Sequence, residues 1–170
     1  MNVFRAVMRA MRVCCAFVLL LGLATDALAE GEITLSNTVE KVEYFANEQG
    51  EMESRFVEAA TVITGDELAY TITFENVSDD VTVDAGSVVI TNPIPPEVVY
   101  LERTAFGAGT VITYSADGGE VFGIPDALVV VEEDGERVAA AAEYTHIRWT
   151  FEPALEPGQT GRVSFRARLR

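Results

Sequence analysis

The sequence predicts an all-β protein folded as an antiparallel sandwich, and three observations carry that prediction. Hydrophobicity alternates with a period of two rather than 3.6. Leu68, Tyr70, Ile72 and Phe74 alternate with Ala69, Thr71 and Thr73, and Ile147, Trp149 and Phe151 alternate with His146, Arg148 and Thr150. Val163, Phe165, Ala167 and Leu169 do the same with Ser164, Arg166 and Arg168. This is the pattern of strands with one face in a core and the other in water. Secondly, turn-forming residues punctuate the chain at short intervals: Glu48-Gln49-Gly50, Thr64-Gly65-Asp66, Ser78-Asp79-Asp80, Pro93 to Pro96, Asp117-Gly118-Gly119, Glu133-Asp134-Gly135 and Pro157-Gly158. Thirdly, the one helix-friendly stretch, residues 139–142, is too short to stand alone.

Strands are expected, in order, at residues 33–39, 41–45, 56–63, 68–74, 87–92, 98–102, 111–114, 127–131, 146–151 and 163–169. Residues 139–142 fit either a short helical turn or a strand returning after Asp134-Gly135. Residues 30–55 read as an N-terminal strand or hairpin extension, and residues 56–170 as the sandwich proper. No linker, low-complexity tract or internal repeat divides them, and a chain of this size fits one domain.

Residues 1–29 have the three-part layout of a cleaved signal peptide. Arg5, Arg9 and Arg12 make the first part basic, residues 13–24 are apolar, and Ala27-Leu28-Ala29 puts small residues where a signal peptidase reads. The apolar run is shorter than the roughly 20 residues of a membrane-spanning helix. The expected mature chain is therefore periplasmic or extracellular, with no membrane span of its own. Cleavage removes both cysteines, Cys14 and Cys15, so its stability must come from packing rather than disulfides. It also removes three of the 12 bases and one of the 27 acids, moving the net charge from −15 to about −17. Such a charge excludes nucleic acid and anionic lipid as partners, because their phosphates would repel it.

The order of motifs resembles a known family. Thr64 to Pro96 reads TGDELAYTITFENVSDDVTVDAGSVVITNPIPP. A Gly-Asp turn, an alternating Tyr-Thr-Ile-Thr strand, an Asn-containing turn and the closing Thr91-Asn92-Pro93-Ile94-Pro95 follow in sequence. Tyr114-Ser115-Ala116-Asp117-Gly118-Gly119, Ile147-Arg148-Trp149, Leu155-Glu156-Pro157-Gly158 and Val163-Ser164-Phe165 come later. Together they resemble the bacterial conserved-repeat domain family, domain of unknown function 11, with Asn92 where an aspartate is usual. The resemblance covers about residues 56–170. It implies an immunoglobulin-like sandwich on an exported protein, here in one copy rather than in tandem.

Residue chemistry points away from catalysis. His146 is the only histidine beyond residue 29, lies in an expected strand, and has no Gly-x-Ser-x-Gly nucleophile elbow to serve. It is expected to be a half-exposed strand residue. Cysteine and histidine are too few for a zinc site, and no phosphate loop or dinucleotide fingerprint occurs. Calcium is the one metal to consider, because Asp79, Asp80 and Asp84 surround one turn and Glu132, Glu133, Asp134 and Glu136 another. Neither has the spacing of a calcium loop, and solvated acidic turns are the plainer account. Trp149 is expected in the core between sheets. Phe106, in Ala105-Phe106-Gly107-Ala108-Gly109, either is exposed as a contact or, the favoured expectation, plugs an end of the sandwich, while Tyr44-Phe45 lies in the N-terminal extension. Arg162, Arg166, Arg168 and Arg170 make the last strand locally basic and either pair with neighbouring acids or dock a partner.

The expected function is that of a non-enzymatic envelope module with a structural or protein-interaction role and an envelope protein as partner. The alternative is a calcium- or polysaccharide-binding module. No catalytic, cofactor-binding or metal-ligating residue is assigned. The first check is the N-terminus. Mass spectrometry of the exported protein should find Glu30 as the first residue, and a chain retaining Cys14 and Cys15 would contradict the expected cleavage.

Overall fold

The computed structural model describes residues 31–133 and 135–170. The expected signal peptide lies outside them, as does Asp134 of the second acidic turn. The described residues hold eleven strands. They are β1 (Ile33–Ala46), β2 (Met52–Glu58), β3 (Glu67–Asn76), β4 (Val88–Pro93), β5 (Val98–Tyr100), β6 (Phe106–Gly107), β7 (Thr110–Ser115), β8 (Val129–Glu132), β9 (Gly135–Val138), β10 (His146–Phe151) and β11 (Thr160–Leu169). Helical structure among them is limited to two short 3-10 turns, Pro125–Ala127 and Ala141–Glu143. The all-β class is as expected.

The large sheet runs β2-β1-β3-β11-β5, with β6 also paired to β11; the small sheet runs β4-β10-β7. Strands β8 and β9 form a separate two-stranded ribbon. All pairings are antiparallel. One core joins the two main sheets. Trp149 and Ile147 of the small sheet and Phe165 and Val163 of the large one are all buried. The Trp149 and Phe165 rings lie 6.2 Å apart, and Phe74 meets Phe151 edge-on at 5.3 Å. The period-two alternation is thus realised, because each strand sends alternate side chains into this shared layer.

Several boundaries moved for identifiable reasons. Residues 33–46 form one strand instead of two, because β3 pairs with it without a break from Ile33↔Asn76 to Val42↔Glu67. Strand β2 starts earlier than its apolar content suggests and stops at Glu58. The turn before it sets this register: the Asn47 side-chain oxygen accepts hydrogen bonds from the Gln49 and Glu51 N–H groups. Residues 59–63 then run into the Gly65 turn, where Ile63 is exposed. At residues 139–142 the helical option is the one found, as the 3-10 turn, with Glu143 accepting from the Ala140 N–H at 2.7 Å.

One proline-flanked residue, Ile94, marks where the chain moves between sheets. Pro93 ends β4, Ile94 is buried, and its N–H donates to the Thr145 carbonyl at 2.8 Å. The chain then joins the large sheet as β5. Asn76, fully buried at the end of β3, closes the opposite end of the sandwich. Its amide donates to the carbonyls of Val81 (2.7 Å) and Leu155 (2.9 Å), and its oxygen accepts from the Ser78 N–H at 3.1 Å. Gly161 faces the Phe74 ring, which leaves no room for a Cβ.

Replacing Asn76 by alanine would leave the Val81 carbonyl without its donor and the Leu155 carbonyl with only the Val83 N–H. Asn76→Ala should cost about 3 kcal/mol in urea unfolding, whereas Leu35→Ala, at an exposed site, should cost less than about 0.5 kcal/mol. Equal losses at the two positions would show that Asn76 does not hold this end together.

Candidate functional site

The two sheets differ in width, and the mismatch leaves one margin open. Among the described residues strand β4 pairs only with β10, so its other edge is free of them along its length. Strand β2 covers β1 only over residues 40–46, leaving residues 33–39 unpaired on that side. The β1/β3 register places Leu35 opposite Phe74 and Val39 opposite Tyr70, on the core-facing side. Yet Leu35 is 59% exposed and Val39 41%, because the small sheet ends at β4 and none of the described residues covers them. Between β1 and β4 lies a groove of about 730 Å³, with Ile33, Leu35, Val83, Val88 and Ile90 among its apolar walls and Asp84 at its side.

Local chemistry keeps the groove in shape. Val83 exchanges backbone hydrogen bonds with Leu155 at 2.9 Å each way, and the Thr82 hydroxyl donates to Glu156 at 2.7 Å. The Glu32 N–H donates to the Ser78 hydroxyl at 2.7 Å, tying the start of β1 to the same turn. The framing segments are strongly acidic. Asp84 lines the groove and Glu32, Asp79 and Asp80 lie on the segments beside it, while Glu40 and Glu75 face the outer side of the large sheet; no lysine or arginine occurs in residues 31–40 or between Arg55 and Arg103. Among the described residues this margin combines unpaired backbone donors and acceptors with an apolar floor and acidic neighbours, the features of an exposed sheet edge.

The residues singled out in the sequence are dispersed. His146 opens β10 half-exposed; its Nδ1 lies 3.1 Å from the Thr145 hydroxyl and its ring meets Phe122 edge-on. Among the described residues no carboxylate bonds to it. The Arg148 guanidinium covers the other aromatic contact, 3.5 Å from the Phe122 centroid. Trp149 is buried, and its indole N–H has no partner among the described residues. Phe106 corrects an expectation: it is 64% exposed and plugs nothing. Its neighbour explains this. Gly107 pairs with buried Val163, and a Cβ there would strike Val163 and Thr110, so Gly107 must face inward. Alternation then turns Phe106, opposite Ser164, outward.

Tyr44 and Phe45 are exposed on opposite faces of the β1–β2 hairpin. Tyr44 donates to Glu67 at 3.0 Å, and the Arg55 guanidinium lies 5.6 Å from the Phe45 centroid. Two of the three arginines of β11 find an acid: Arg166 and Arg168 both approach Glu67, at 3.1 and 3.9 Å. No three acidic or histidine side chains among the described residues come together as a metal site, so the geometry adds nothing to the calcium alternative. Asp117 is spent on its turn, where it accepts from the Ser115 hydroxyl (2.6 Å) and the Glu120 and Val121 N–H groups. These donors, the hydroxyl first, hold its carboxyl below the usual range.

The open margin itself was missed from sequence. Residues 33–39 were readable as a strand, but alternation reports which face a side chain takes, not whether a second sheet reaches far enough to cover it. Compared with models of protein families, with curated proteins and with solved structures, the chain matches none of them.

The ribbon of β8 and β9 is held separately. Arg137 donates to Glu132 at 2.6 Å and to both oxygens of Glu143 at 2.7 Å, clamping the ribbon to the 3-10 turn. Arg137 first, then the Ala140 N–H, lowers the Glu143 carboxyl from 4.5 to about 2. A depressed carboxyl adds stability that is present above its unfolded value and lost as pH falls through the folded one. Amide exchange in residues 129–132 and 135–138 should therefore accelerate between pH 4.5 and about 2, relative to β10 and β11. An unchanged ratio over that window would remove the clamp.

Proposed function

We propose that the protein is a non-enzymatic, exported bacterial envelope module with a structural or protein-interaction role. In this reading it is an immunoglobulin-like sandwich of the conserved-repeat kind, freed from residues 1–29, and it works by taking a partner's backbone onto an open sheet edge. The observation that carries the reading is the edge of β4 left unpaired among the described residues, beside core-facing residues of β1 that none of them covers. Exposed strand edges are ordinarily blunted by charge, proline or a covering loop. Here Pro93 stands only at the end of β4, and Val88, Val89 and Ile90 precede it with no charged residue among them. An edge of this kind is a ready template for strand addition.

The test is a photocrosslinking residue at position 35, or at exposed position 131 of β8 as the control, in the full-length protein in living cells. Fractionation should place the protein outside the cytoplasm, with adducts from position 35 to one envelope protein and none to it from position 131. A cytoplasmic protein, or identical adducts from both positions, would refute the reading.

A further inference from the structure

We infer that the margin between β1 and β4 receives one strand from another protein, and that this strand alternates apolar with lysine or arginine residues. The inference rests on the groove being the working surface and names the class of its occupant.

Geometry sets the alternation. The large sheet is five strands wide along its main path and the small sheet three, so a strand added to β4 would extend the small sheet over β1. Side chains along a strand alternate between its faces. One set would descend onto Leu35, Val39, Val88 and Ile90, and an apolar side chain is what those contacts take. The other set would face outward, level with Val89 and Thr91 of β4, where charge is freely solvated.

Charge sets the sign of that second set. Asp84 lines the groove, Glu32, Asp79 and Asp80 stand on the segments beside it, and the nearest base on β1, Lys41, is held by Asp66 at 2.8 Å. The nearest cation on the small sheet, Arg148, is already held by Phe122 and by the Thr91 hydroxyl at 3.0 Å. A cleft lined by one sign of charge focuses its field and concentrates the opposite sign. The same field argues against a second copy of this chain, since two molecules of net charge −15 would have to meet at their acidic margins.

The test uses three peptides of about eight residues, long enough to run beside the six residues of β4. One alternates valine and lysine, one alternates valine and glutamate, and one has the first composition with its lysines in a block. Each is titrated into the mature chain. The alternating valine–lysine peptide should bind, slow amide exchange in residues 88–93, and weaken as salt is raised. The other two should bind at least about tenfold more weakly. Leu35→Arg, at an exposed position, should cut affinity by at least about tenfold, and Asp84→Asn, which keeps the shape of the groove, by about threefold. Melting temperatures of both variants establish that they fold.

Equal binding of all three peptides, protection at another edge, or indifference to both variants would overturn the inference. So would a dimer that Leu35→Arg dissociates, since the occupant would then be a second copy. If crosslinks from position 35 persist in cells while the valine–lysine peptide fails, the occupant is wrong and the interaction role stands. If those crosslinks are absent, the role itself falls.

Discussion

The unbroken ladder between β1 and β3 is the constraint on which the rest of the molecule depends. Ten residue pairs, from Ile33↔Asn76 to Val42↔Glu67, fix which side of β1 faces the core. A slip of one residue would send Leu35 and Val39 to the outer face and bring Thr34 and Thr38 inward. The ladder also fixes the outer face, where Val42 and Ala69 are buried. There Phe56 stands opposite Val42 on β2, and Arg166 stands opposite Ala69 on β11 with its guanidinium 5.5 Å from the Phe56 centroid. The same register thus attaches the N-terminal hairpin to the sheet and leaves its first half unroofed.

Turns enforce that register through polar groups rather than through apolar content. Lys41 donates to Asp66 at 2.8 Å, and Asp66 also accepts from the Ile63 N–H, so one carboxylate joins the middle of β1 to the Gly65 turn before β3. Lys41 first, then that N–H, holds the Asp66 carboxyl below its usual range. At the opposite end Asn76 bonds the loop after β3 to the loop before β11. Fully buried polar groups confer stability only when satisfied. Both Asn76 and Ser115 meet that condition, with the Ser115 hydroxyl also accepting from the Gly119 N–H at 2.9 Å.

Much of the fold was legible in the sequence, because period-two alternation is a direct imprint of a two-faced strand. The strands with the clearest alternation, β3, β10 and β11, were anticipated to within a few residues, and Trp149 fell in the core. Legibility failed where a boundary is set by something other than side-chain hydrophobicity. Strand β2 is positioned by the Asn47 turn, and β9 has no alternation because Gly135, Glu136, Arg137 and Val138 are all exposed. Phe106 was misplaced because steric demand sits on its glycine neighbour, where no hydrophobic signal exists. The groove was invisible for a different reason: it is a difference in width between two sheets, and strand pairing across many residues decides that.

The absence of bases around the groove has a consequence for proteolysis. Proteases that cut after lysine or arginine need an extended, accessible segment containing one, and a free edge strand supplies the first two requirements readily. From Glu58 through β3, the acidic turn and β4 to Glu102, such enzymes meet no bond they can hydrolyse. The segment whose backbone is most open is therefore proof against one of the commonest kinds of cleavage, by composition alone.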